Sequence, residues 1–169
     1  IIEGDLSVYP PRGSYQIIVK NIEFSGTGKL LVAFHQLKTE LKEKGFFNRK
    51  LPLPFLPKKI AVITSPTGAV IRDILRVLRR RYPGFELLLY PVKVQGTSAA
   101  QEIAKAIEDC NRYRLADVLI LARGGGSIED LWPFNERVVA EAMHKSFIPM
   151  ISAIGHDTDV TIPDFIATK

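Results

Sequence analysis

The chain has 169 residues, a net charge of +5, 46% apolar and 24% charged side chains, and one cysteine. These values fit a folded domain with its own core rather than a disordered segment, and no apolar run approaches the ~18–20 residues that span a bilayer. A lone cysteine excludes an internal disulfide and suits a reducing cytoplasm.

The opening Ile1-Ile2-Glu3-Gly4-Asp5 has neither the basic start nor the long apolar stretch of a signal peptide. A chain that starts without methionine and stops at Lys169 is expected to be a piece of a longer protein. Its charge is uneven: 8 basic and 5 acidic side chains up to Pro57, then 15 and 13 from Lys58. Arg79-Arg80-Arg81 is the densest basic run. It suits a solvated helix C-terminus or contact with a nucleic-acid backbone.

In chain order, Tyr15, Ile17 and Val19 alternate with Gln16, Ile18 and Lys20, and Ile22 and Phe24 follow. This predicts strand after a turn at Pro10-Pro11-Arg12-Gly13. So small a pair of strands is marginal alone, so it reads as the tail of a β domain. Leu30, Phe34, Leu37 and Leu41 fall at helical spacing, with Gly45 as the stop. Gly26-Thr27-Gly28-Lys29 lacks the spacing of a phosphate loop. Leu51-Pro52-Leu53-Pro54-Phe55-Leu56-Pro57 cannot be helical and marks a boundary.

From Lys58 onward strand, loop and helix alternate. Strands are predicted at 60–64, 87–94, 117–122 and 149–154. Helices are predicted around Ile71–Leu78, over 99–111, and over 128–145 with an irregularity at Pro133. This order implies an α/β fold, a mostly parallel sheet with helices on both faces, preceded by the β remnant.

Ligands of open parallel sheets bind at the carboxyl ends of the strands. All four predicted strand ends here carry small residues: Ser65-Pro66-Thr67-Gly68, Gln95-Gly96-Thr97-Ser98, Arg123-Gly124-Gly125-Gly126-Ser127 and Gly155-His156-Asp157-Thr158-Asp159. Glycines let backbone N–H groups approach an anion. Arg123, at the end of an apolar strand, needs a carboxylate or a phosphate as partner. Glu129 or Asp130 is expected to hold either Arg123 or a partner loop. His156 can carry a proton while a neighbouring aspartate orients it. Asp73 reads either as a surface partner of Arg76 or as a catalytic carboxylate. No second histidine neighbours His156, which argues against zinc. Magnesium held by Asp73, Asp157 or Asp159 stays open, as does the protein class: phosphodiester hydrolase or passive nucleic-acid-binding domain. Trp132 and Phe134 read as core before they read as base-stacking residues.

These residues closely resemble the large subunit of bacterial exodeoxyribonuclease VII. The strongest stretches are RGGGSIEDLWPFN (123–135) and SAIGHDTDVTIPDF (152–165), supported by LPLPFLPK (51–58), ITSPTGA (63–69) and YPVKVQG (90–96). The resemblance implies that residues 1–28 end an OB-fold domain, that 29–57 form a helix and connector, and that 58–169 belong to the catalytic domain. It implies exonucleolytic hydrolysis of single-stranded DNA from either end, leaving 5′-phosphates, in the cytoplasm, with several small subunits as partners. It places the family's catalytic residues on Asp73, Arg123, His156 and Asp159. Asp157 is a weaker candidate, because the family also uses glutamate there. The DNA phosphates are expected at Ser65, Thr67, Gly68, Gly124, Gly125, Gly126 and Ser127. The family includes members that work without added metal, and Mg2+ remains open.

Overall fold

The computed structural model describes residues 2–9, 11, 13–22 and 26–169. Strands β1 (Ile2–Tyr9) and β2 (Ser14–Ile22) pair antiparallel. Sequence reading delimited only β2. Pro10, Arg12 and Phe24, which it placed in the turn and at the strand end, lie outside the described residues.

Helix α1 (Gly26–Glu43) starts ahead of the apolar stripe, so the Gly26–Lys29 stretch is its first turn rather than a phosphate loop. Gly45 ends it with φ +76, where the Gly45 N–H bonds Lys42 O and the Phe46 N–H bonds Leu41 O. Phe34 and Leu41 enter the same core as the sheet. Arg137 forks onto the Glu40 carboxylate and ties α1 to a later helix.

The main sheet has four parallel strands: β3 (Lys59–Thr64), β4 (Glu86–Pro91), β5 (Val118–Arg123) and β6 (Met150–Ile154). Their order is β4-β3-β5-β6. Lys-Ile-Ala-Val-Ile-Thr of β3 is buried at every position after Lys59, as a central strand covered on both faces must be. Helix α2 (Ala69–Arg81) packs Ile71, Ile74, Leu75 and Leu78 on the face carrying Ile60, Val62 and Ala122. The opposite face, with Ala61, Ile63, Leu119 and Leu121, meets α1 and three further helices. These are α3 (Ala99–Arg112), α5 (Arg137–Lys145) and α6 (Ile162–Ile166).

Two predicted bounds change. β4 ends at Pro91, not Val94, because the Lys93 N–H turns away to the Glu102 carboxylate at 2.9 Å. The predicted 128–145 helix divides into α4 (Ile128–Leu131), a 3-10 turn at Trp132–Asn135, and α5. Pro133 lacks the N–H that would continue it. Phe134 is fully buried and Trp132 packs against the core, as expected. Helix α6 had no sequence forecast. Thr161 and Asp164 form its capping box, and the Ile162 N–H donates to Asn135 Oδ1 at 2.8 Å.

The chain leaves β3 toward β4 on one side and returns to β5 on the other. The carboxyl ends of β3 and β5 therefore flank a switch point, the place where ligands of open parallel sheets bind.

Candidate active site

Arg123 is the last residue of β5 and shares the sheet face of Leu119 and Leu121. It is only 8% exposed. A charge so enclosed needs partners. Its Nη1 donates to Gly124 O at 3.1 Å and its Nη2 to Gln95 Oε1 at 3.3 Å, and Asp130 Oδ2 stands 3.6 Å from Nη2. The expected carboxylate is thus Asp130. These two hydrogen bonds use two of five guanidinium donors. Gln95 was not foreseen as a partner. It arrives on the loop after β4, a strand not adjacent to β5, so spacing along the sequence carried no sign of it.

The glycines have a more specific reason than anion access alone. A Cβ on Gly125 would overlap the His156 imidazole, and one on Gly126 would overlap the Arg123 guanidinium. Two of the candidate side chains therefore lie directly against two glycines. At Gly124 the nearest obstacle is Val70 Cγ2 at 3.6 Å, an ordinary contact. Ser127 caps α4 by accepting from the Asp130 N–H at 3.3 Å, which fixes Asp130 near Arg123.

His156 and Asp159 form one turn. The His156 N–H donates to Asp159 Oδ2 at 2.8 Å, and the Asp159 N–H donates to His156 O at 2.9 Å. The same Oδ2 stands 3.3 Å from His156 Nδ1. Gly155, at φ +76, leaves no room for a side chain, because a Cβ there would lie 2.5 Å from Asp159 Cβ. With Nδ1 facing the carboxylate, Nε2 is the nitrogen left for a substrate. The imidazole is 75% exposed and the carboxylate 25%. Asp157 is exposed in the same turn.

Arg123, Gly124, Gly125, Gly126, Ser127, His156 and Asp159 thus lie together. The Ser65–Gly68 loop is close as well: Gly68 caps α2, whose Val70 faces the side on which Gly124 would carry a Cβ, and Ser65 Oγ lies 3.4 Å from Thr67 Oγ1. Asp73 lies a turn further along α2, on the other sheet face. There Arg76 Nη2 donates to its Oδ1 at 2.6 Å with both side chains exposed. Among the described residues, no hydrogen bond or ion pair joins Asp73 to Arg123, His156 or Asp159. Among the described residues, no group of three His, Cys, Asp or Glu is arranged to hold a metal ion.

A family model described as "Exonuclease VII, large subunit" matches residues 47–169. Relatives named "Exodeoxyribonuclease 7 large subunit" align over nearly the whole chain. That of Chlamydia pneumoniae is 58% identical over 98% of this chain and 30% of its own length. That of Chlamydia felis is 57% identical over 99% and 30%. That of Geobacter sulfurreducens is 56% identical over 99% and 38%. The chain therefore spans roughly a third of the length of these curated relatives.

Proposed function

The chain belongs to the exonuclease VII large-subunit family, and we propose that it carries the phosphodiester-cleaving centre of an exodeoxyribonuclease. Its substrate is single-stranded DNA, digested from either end to products with 5′-phosphates. Residues 1–28 end the OB-fold module, 29–57 connect, and 58–169 belong to the catalytic domain. The full-length subunit works in the cytoplasm with several small subunits. Among the described residues no helix is long and apolar enough to cross a membrane.

The observation that carries this reading is the packing of Arg123 and His156 on neighbouring glycines, with Asp159 against the imidazole. Phosphodiester hydrolysis needs charge neutralisation, an attacking water and protonation of the leaving O3′. Arg123 and the amides of Gly124–Gly126 hold the non-bridging oxygens. His156 transfers the proton at Nε2, and Asp159 holds the ring through Nδ1. The water oxygen bonds to phosphorus, the P–O3′ bond breaks, and the water proton is balanced by the one O3′ gains. Ser65, Thr67, Gly68 and Ser127 line the approach of the strand. Asp73 supplies a second carboxylate once a DNA phosphate competes for Arg76.

The test compares release of oligonucleotides from end-labelled single-stranded and duplex DNA by the full-length subunit assembled with small subunits. An Arg123→Ala variant is assayed alongside. Cleavage of the single strand alone, lost in the variant, is expected. Equal cleavage by the variant refutes the assignment.

A further inference from the structure

A cavity of about 310 Å3 lies between α1 and the two glycine loops. Its size falls at the lower end of the roughly 300–1,000 Å3 usual for small-ligand sites. Leu31 and His35 come from α1, Ile128 from α4, and Val160 from the loop before α6. Leu31 is 45% exposed and Val160 55%, apolar side chains that no packing against the core accounts for. The His35 ring, exposed on α1, stands edge-on to the core residue Phe34 at 5.5 Å.

The remaining walls belong to the cleavage centre. Gly126 lines the cavity and carries the Arg123 guanidinium against it, and Asp159 lines it while facing His156 Nδ1. A nucleotide carries its base one sugar away from its phosphate. Because Gly126 and Asp159 line both, a phosphate between Arg123 and His156 would stand within a nucleotide's length of this cavity.

We propose that this cavity receives one nucleobase of the single strand, and so sets which bond reaches the cleavage centre. The inference rests on the nuclease reading above. Leu31, Ile128 and Val160, with the exposed His35 ring, offer surfaces that accept the face of any base, so this part of the pocket distinguishes an occupied from an empty position rather than one base from another. A protein or lipid partner fits less well, because the walls that complete the cavity are those that hold the phosphate.

The probe is a short, fluorescently labelled oligodeoxythymidylate in which a single abasic residue is stepped through each position. It is tested with the full-length enzyme for affinity and for cleavage at each bond. At one register relative to the cut bond, the abasic residue lowers cleavage and affinity about tenfold, equivalent to about 1.4 kcal/mol and within the range of base stacking. Leu31→Trp, which fills the cavity from an exposed helix position, lowers cleavage of the intact strand by a similar factor, and the two losses do not add. A melting curve checks that the variant is folded, and the abasic scan on the unmutated enzyme stands without it. Cleavage and affinity that ignore the abasic position overturn the pocket. If no strand is cleaved at all, the nuclease reading fails, while the affinity scan still decides for or against the pocket.

Discussion

Replacing Gly125 by alanine puts a methyl group where the His156 imidazole lies, whereas the same change at Gly124 meets only Val70 at 3.6 Å. Neither glycine has a left-handed φ, so backbone strain does not separate the two variants. The His156 side chain is 75% exposed and can swing aside. The stability cost is then small, about 0.5–1.5 kcal/mol even where the ring is held ~30° off its rotamer. For a chain of this size that lowers Tm by ~2–4 °C for each kcal/mol. The catalytic cost is far larger, because a displaced ring no longer meets both Asp159 and the phosphate. Loss of a positioned acid–base group costs about 10²–10⁴-fold in rate. Single-turnover oligonucleotide release and thermal melting should therefore show Gly125→Ala folded but slowed at least ~10²-fold, with Gly124→Ala close to the parent. Equal activity of the two variants, or equal damage, refutes the reasoning that the ring packs on Gly125 for catalysis.

Arg123→Lys should cut cleavage by ~10²-fold or more, because an ammonium cannot keep the Gln95 and Gly124 contacts while gripping two phosphate oxygens; steady-state rates check it. Asp73→Asn should slow cleavage about 10²-fold. A mere surface pair with Arg76 predicts normal activity and a stability change within ~1 kcal/mol, so rate and melting curve together decide. Glu40 is held at about 2, below the ordinary 4.5, first by its hydrogen bond with Arg137 and then by Lys44. Its folded value is depressed, so the pair stabilises the fold above pH 4.5 and loses that contribution as pH falls to about 2. The Tm difference between the parent and Arg137→Ala, present near neutral pH, should shrink across that window.

The central sheet was legible because β3 and β5 are continuous apolar runs between small-residue loops, the pattern of strands buried on both faces. The Arg123–Asp130 pairing was only half legible, since a strand-end arginine needs a carboxylate or a phosphate and both Glu129 and Asp130 lay in the next helix turn. What was not legible depends on contacts between distant segments. β1 alternates too weakly beside Gly4 and Asp5 for its bounds to stand out before its pairing with β2 is known. α6 is a short helix whose cap can be recognised only once Asn135 is seen receiving the Ile162 N–H. Gln95 reaches Arg123 from a strand that is not adjacent to β5. Leu31 and Val160 gain meaning only from the cavity they share. The glycine run was read as room for a phosphate, and the need of Gly125 and Gly126 to accommodate His156 and Arg123 emerges only from their packing.

The most direct measurement compares His156→Ala and Asp159→Asn in the full-length enzyme, each assayed for oligonucleotide release and for affinity to single-stranded DNA, with a melting curve for folding. The proposed centre predicts cleavage reduced by about 10²–10⁴-fold with affinity largely unchanged, since binding is spread over many contacts and proton transfer is not. Folded variants that cleave near the parent rate would contradict it and leave the chain as a strand-binding domain.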